Sequence, residues 1–439
     1  MISIRRILLL GVGALLGVVA CAADTSVPSK TVVVEEDGVY RLVRNGRPYV
    51  IRGVGGETHL DRLAAAGGNS IRTWGADNLG QILDEAHRHG LTVCAGLWLG
   101  HERHGFDYGD RPAVLRQLEA TLAAVRRHKD HPALLMWGIG NEMEGDGSNP
   151  AIWAAVEEIA REVKRIDPDH PTMTVIAELG HDKVRSIERL CPSIDIVGVN
   201  SYGGITTVGA RYRDAGGSRP YVITELGPLG PWEVGKTAWG SPIEMSSTAK
   251  GEWYANGYRK AVAEQHGLCL GSYAFYWGHK QETSATWFGM LLPDGSRLAP
   301  VDALVEAWTG APPENLCPRI ASLEADRTAR LHPGEVVTAT LSASDPENDP
   351  LSFRWVLRAD SRTIGSGGDF QPDETSFEAA VSATGPTAKV TLPNQAGGYR
   401  LFAYVSDNAG GAAVANLPLY VDQPTAGDEP TERTKSDSR

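Results

Sequence analysis

Cysteine is scarce, with five in 439 residues. Cys21 closes an apolar N-terminal segment, which leaves Cys94, Cys191, Cys269 and Cys317 in the body of the chain. No Cys/His spacing among them fits a zinc site. Cys94 sits inside an apolar run and reads as a buried thiol. Any disulfide would therefore join two of the other three, a pairing open to an exported chain. No Gly-x-Ser-x-Gly elbow occurs, which sets aside the serine esterases. Positive charge is short too: Lys and Arg number 42 against 54 Asp and Glu, for a net charge of −12. That excess is spread along the chain and leaves no basic face for a nucleic acid.

The apolar run that begins the chain is too short for a spanning helix. "MISIRRILLLGVGALLGVVAC" has a basic start at Arg5 and Arg6, then an apolar stretch, then small residues before Cys21, as an export signal does. Its end, Val18-Val19-Ala20-Cys21, resembles a bacterial lipobox. That resemblance implies a lipid on Cys21, an anchor to the membrane and, with Ala after the Cys, the outer membrane at the periplasmic face or cell surface.

Residues 1–21 are thus read as signal and lipobox, and 22–30 as a tether. "VYRLVRNGRPYVIRGVG" reads as a hairpin about Asn45-Gly46, the strongest short turn signal. Beyond it, apolar strand runs alternate with helical stretches. The strands are expected at 49–54, 70–74, 92–99, 133–140, 172–177, 194–202, 221–227 and 271–277. Val114, Leu118, Leu122 and Val125 form one helical stripe, and Ile152, Val156, Ile159 and Val163 another. Eight β-α units over residues 31–310, hairpin included, have the rhythm of a (β/α)8 TIM barrel. An open doubly wound sheet would carry a Gly-rich phosphate turn after its first strand, and "GVGGET" matches that fingerprint weakly. Residues 311–318 are a Pro-rich linker. From 319 to 422 short β runs dominate, as in an all-β immunoglobulin-like sandwich. Residues 423–439 are a polar tail read as disordered.

In a closed barrel, function collects at the carboxyl ends of the strands. There the sequence places Arg72, Trp98, Asn141-Glu142, Asn200, Tyr202, Glu225 and Trp277, with Trp232 in the loop after strand seven. All can hydrogen-bond or stack on a sugar. Glu142 and Glu225 end strands four and seven, across the barrel mouth. Glycosidic cleavage needs one carboxyl to protonate the leaving oxygen and one to meet the oxocarbenium-like centre. The first must be held neutral by burial or a like charge, and the second must be kept ionised by donors. Arg72 and Tyr202 are the donors expected beside Glu225.

"HPALLMWGIGNE" with "YVITELG" resembles the retaining glycoside hydrolases of clan A, above all the barrel domain of family 2, with family 5 next. The resemblance spans about residues 40–310. It implies Glu142 as general acid/base, Glu225 as nucleophile and Asn141 at the sugar 2-hydroxyl. It also implies Tyr202 orienting the nucleophile, Arg72 in the strand-two motif and Trp277 as the sugar floor. The substrate implied is a β-linked oligo- or polysaccharide, and no cofactor is needed. Two departures stand out: "GVGGETH" replaces the family's strand-one Asn-Arg-His, and strand two ends Thr-Trp rather than Ser-His. With only a hairpin before the barrel, a cleft open to a chain is expected. Transglycosylation by the same site, or a degenerate carbohydrate-binding envelope lipoprotein, are the alternatives.

Trp98, Trp232, Trp239 and Trp287 divide between core and sugar platform. His101 and His104 stand between cleft and surface, residues 279–282 can line the cleft, and Glu178 is the reserve carboxylate. In the C-terminal domain, Asp345, Glu347, Asp349 and Asp407 resemble the calcium-edge turns of cadherin-like modules. Their other reading is ordinary Asp/Asn turn chemistry.

Overall fold

The computed structural model describes residues 28–361 and 368–423. The leader with Cys21 and the polar tail lie outside those residues.

The chain opens with a three-stranded meander: β1 (Thr31–Glu36), β2 (Val39–Arg44) and β3 (Arg47–Tyr49). Asn45 and Gly46 both take positive φ, 49° and 75°, as a two-residue turn of this hand requires. Asp37-Gly38 repeats the device between β1 and β2, at 53° and 76°. The meander packs Val33, Tyr40 and Leu42 against Ile51, Met136, Met173, Ile196, Val222 and Leu270. These belong to the starts of barrel strands, so the meander closes the end of the barrel away from the expected site.

The expected barrel is present. Its strands are β4 (Ile51–Gly55), β5 (Ser70–Arg72), β6 (Thr92–Leu97), β7 (Leu134–Asn141), β8 (Thr172–Ala177), β9 (Ile196–Ser201), β10 (Tyr221–Leu226) and β11 (Cys269–Ala274). All neighbours are parallel, and β11 pairs with β4 to close the ring. Around it run α1 (Leu60–Ala65), α2 (Leu79–Arg88), α3 (Arg111–His128), α4 (Pro150–Ile166), α5 (Lys183–Leu190), α6 (Val208–Asp214), α7 (Ser247–Tyr258) and α8 (Ala299–Thr309). The two helical stripes face inward as expected: Val114, Leu122 and Val125 of α3 and Ile152, Val156, Ile159 and Val163 of α4 are buried. Asp110 and Asn149 cap these helices by accepting backbone N–H bonds, each followed by a Pro in the first turn, where the missing N–H costs nothing.

After the linker come β12 (Arg319–Ala325), β13 (Val336–Ser344), β14 (Ser352–Ala359), β15 (Val381–Thr384), β16 (Thr387–Thr391), β17 (Gly397–Ser406) and β18 (Ala412–Val421). They form a four-stranded sheet, β12-β13-β16-β15, and a three-stranded sheet, β14-β17-β18. The three-stranded sheet turns Val356, Phe402, Tyr404 and Val414 onto Leu292 and Leu298 of the barrel domain.

Two expectations are corrected here. Cys94, Cys191, Cys269 and Cys317 are all free thiols, and burial pushes Cys191 and Cys269 up to about 12, which keeps them inert. The acidic turns hold themselves rather than a calcium ion. Asp345 accepts the Glu347 and Asp349 amides at 2.9 Å each, and Asp407 accepts those of Ala409 and Gly411. Glu347 accepts the Leu316 amide. Among the described residues no three His, Cys, Asp or Glu side chains group as metal ligands.

Candidate active site

Glu142 follows the last residue of β7 and takes a left-handed backbone, φ 52°, a conformation that costs of order 1–3 kcal/mol in a non-glycine residue and clusters at functional sites. Asn200, in β9, donates its side-chain N–H to Glu142 Oε1 at 2.7 Å. The same amide donates to Asn141 Oδ1 at 3.1 Å, and Thr224 donates to Asn200 Oδ1 at 2.7 Å, which fixes the amide's orientation.

Glu225, in β10, is 5% exposed and takes three donors. Arg72 Nη1 and Trp74 Nε1 reach Oε1 at 3.0 and 2.9 Å, and the Tyr202 hydroxyl reaches Oε2 at 2.6 Å. The other arm of Arg72 donates to Asn141 Oδ1 at 2.6 Å. One continuous set of bonds thus runs from Glu225 through Arg72, Asn141 and Asn200 to Glu142.

Two glycines make this possible. A Cβ on Gly227 would stand 2.4 Å from the Tyr202 ring, so only glycine lets that ring swing over to Glu225. A Cβ on Gly96 would stand 2.3 Å from the Thr73 carbonyl, at the turn that aims Trp74.

The surroundings of the two carboxylates differ. Burial, then the Glu225 charge, pushes the Glu142 carboxyl up to about 7, against the Asn200 bond that pulls it down. Glu225 instead sits in a cage of three donors, one of them a guanidinium, which fixes the orientation of its carboxylate. Burial and the charges of Glu225 and Glu142 keep the Tyr202 phenol well above its ordinary range, so it donates and stays neutral.

Both carboxylates line one cavity of about 850 Å³ at the carboxyl ends of the strands. Arg72, Trp98, Asn141, Asn200, Tyr202 and Trp232 line it as expected. Trp98 and Trp232 are 45% and 53% exposed. Trp239 packs on Tyr420 of the sandwich and Trp287 is core. Lys280 and Glu282 reach the cavity, while His279 and Gln281 stay out of the lining. Glu178 lines it too, paired to Arg211 at 2.9 Å. His101 is buried behind Trp98, stacked on it at 4.8 Å, and burial holds its imidazole down at about 4.

Trp277 is the misplacement. It is 1% exposed, part of the main core, and its indole N–H points to the His59 carbonyl. Strand β11 ends at Ala274, three residues short of the Trp. Phe275 and Tyr276 take the cavity wall in its place. Phe275 and Glu233 are lining residues that the sequence reading did not select, while Trp74 and Tyr276 stand at the strand ends it read. Trp74 had a signal, since it stands two residues past Arg72 at the mouth end of β5.

The fold and site together define a closed (β/α)8 barrel with a two-glutamate cavity at its mouth. Residues 67–228 match the family model described as glycosyl hydrolases family 2, TIM barrel domain. Among curated proteins the chain is similar to the β-glucuronidase of Pongo abelii, 23% identical over 206 residues that cover 43% of this chain and 30% of that one. It is likewise similar to the β-galactosidase of Klebsiella pneumoniae, 27% identical over 177 residues, 36% of this chain and 16% of the relative. The chain thus spans under a third of the length of these relatives. Among solved structures, β-glucuronidase 2 of Bacteroides uniformis superposes with a TM-score of 0.51 at 15% identity, over 89% of this chain and 48% of that one. The β-glucuronidase of Ruminococcus gnavus does so at 0.50 and 18%, over 64% and 53%. The structural likenesses speak to the fold.

Proposed function

We propose that the protein is a retaining β-glycosidase acting on β-linked oligo- or polysaccharides, with Glu225 as nucleophile and Glu142 as acid/base. The observation that carries this is two carboxylates in one cavity with different surroundings. Glu142 has the raised pKa a general acid needs near neutral pH, and Glu225 is aimed into the same cavity by three donors, as a nucleophile must be. Glu225 attacks the anomeric carbon as the Glu142 proton passes to the leaving oxygen, giving a glycosyl-enzyme. Glu142, now ionised, takes a proton from water as it attacks the same carbon, and the sugar leaves with its configuration kept. A sugar acceptor in place of water gives transglycosylation by the same steps. Tyr202 and Arg72 keep Glu225 aimed, and the Asn141 side chain stands where it can meet a hydroxyl of the bound sugar.

The β-glucuronidase and β-galactosidase names of the relatives support the reaction class. The test is trapping: a 2-deoxy-2-fluoro β-glycoside with a dinitrophenyl leaving group should add one sugar mass to the peptide containing Glu225. A label elsewhere, or products of inverted configuration, would sink the mechanism. Attachment of the protein to the outer membrane through Cys21 is a further part of the proposal, tested by radiolabelled palmitate uptake in cells expressing wild type and Cys21→Ala.

A further inference from the structure

One wall of the cavity does not come from the barrel. Gly368 and Asp369, in the segment between β14 and β15, line it with the barrel residues. The barrel holds this segment at several points. Arg103 donates to both oxygens of Asp369 at 3.4 and 3.3 Å, and the His104 imidazole lies 3.4 Å from the same carboxylate. The Thr283 amide donates to the Gln371 side chain at 2.7 Å, and a Cβ on Gly368 would stand 3.4 Å from Lys280 Nζ. Between these anchors Phe370 is 91% exposed, more than any other large hydrophobic side chain described.

A single exposed ring needs no explanation by itself. Here a run of rings starts inside the cavity and stops beside Asp369, the residue before Phe370: Trp98 stacks on His101 at 4.8 Å, and His101 on His104 at 5.4 Å. Aromatic faces suit the apolar faces of a pyranose, and a carboxylate suits its hydroxyls. The charge of the wall narrows the ligand. Among the described lining residues eight are Asp or Glu and two are cations, Arg72 and Lys280. Both cations are already paired, to Glu225 at 3.0 Å and Glu282 at 2.6 Å. A uronate would meet this field with no open cation to receive it.

We propose that residues 368–371 of the sandwich complete an outer subsite, in which Trp98, Asp369 and Phe370 hold a further sugar of a neutral β-glycan chain. The proposal rests on the glycosidase reading of Glu142 and Glu225. The test uses the full chain and a panel of neutral β-linked hexasaccharides (glucan, galactan, mannan, xylan) with the matching aryl monoglycosides. Phe370→Ala should lower the ratio of kcat/KM for the best hexasaccharide to that for its aryl monoglycoside about three- to tenfold. Asp369→Asn should lower it in the same direction. A ratio within about twofold of wild type in both variants overturns the subsite. Binding measured in a Glu225→Gln background reads the subsite without chemistry: Phe370→Ala should weaken hexasaccharide binding by the same factor. A hexasaccharide bearing uronic acids should bind more weakly than its neutral counterpart, and equal or tighter binding overturns the ligand class. If wild type turns over no glycoside, the glycosidase reading falls, and the binding series still decides the subsite.

Discussion

Two arginines, each at most 2% exposed, are the readiest comparison between barrel and sandwich. Arg72 joins Glu225 to Asn141, and both partners open onto the cavity. Arg400, in β17, donates to Asp360, Asn416, Ser241 and the Pro242 carbonyl. Its bonds run across the domain boundary into the loop after β10. Beside them Glu244 accepts from Lys250 at 2.6 Å, Thr286 at 2.9 Å, Asn416 at 2.6 Å and Ser284. The barrel's buried charge faces a space a ligand can enter. The sandwich's buried charge is spent on fastening two loops, 227–246 and 279–287, that carry Trp232, Lys280 and Glu282. Burial of a charge alone does not mark function; what its partners open onto does.

The largest effect should come from the barrel side. Glu225→Gln should cut kcat on an aryl β-glycoside by on the order of 10⁴-fold or more while the variant still folds. Activity within tenfold of wild type would mean that the buried carboxylate is structural and the contrast false. At the boundary with the sandwich, Lys250→Met leaves Glu244 buried without the cation that donates to it. Breaking a buried pair of this kind costs about 3–5 kcal/mol, to be read in denaturant unfolding. A variant as stable as wild type would show that the boundary network holds nothing.

How much of this was legible in the sequence follows the same divide. Asn141-Glu142 and Glu225 could be found because a barrel puts strand ends on one rim and the strand runs were clear. Tyr202 and Arg72 beside Glu225 followed from the need for donors. Trp277 was misplaced because "GSYAFYWG" is apolar throughout, and no alternation marks where β11 stops. A strand carried on to residue 277 puts the Trp at the rim; one ending at Ala274 gives the rim to Phe275 and Tyr276. β12 and β15 went unseen because their faces are half exposed and carry little apolar signal. Asp369 and Phe370 had no local signal, since their place depends on how one domain docks on another. Tyr276→Ala should therefore raise KM several-fold with little change in stability. Trp277→Phe should leave KM near wild type and cost about 1–3 kcal/mol as a core truncation.

The pH dependence sharpens the pair itself. A general acid titrating at about 7 loses its proton above that point, so kcat/KM should fall roughly tenfold per pH unit on the alkaline side. Asn200 donates to the ionised form of Glu142, so Asn200→Ala should move that limb to higher pH, and movement to lower pH would contradict the geometry. Stability has its own sign. The folded carboxyl keeps a proton between its ordinary value of 4.5 and about 7, where the unfolded one has lost it. Glu142 therefore opposes folding increasingly as pH rises through that window. Glu142→Gln should gain stability over wild type more at pH 8 than at pH 5.

The smallest effect belongs to the acidic turns of the sandwich. Asp345 and Asp407 direct their carboxylates to backbone amides two and four residues on, at 2.7 to 2.9 Å, which is turn chemistry that works without an ion. An ion that does not bind the folded state adds nothing to its stability by mass action. Millimolar calcium or a chelator should then move the melting temperature by no more than about 1 °C, well under the scale of one lost hydrogen bond in a domain of this size. A larger shift on chelation that vanished in Asp407→Asn would restore the calcium reading and give the sandwich a ligand-binding site after all.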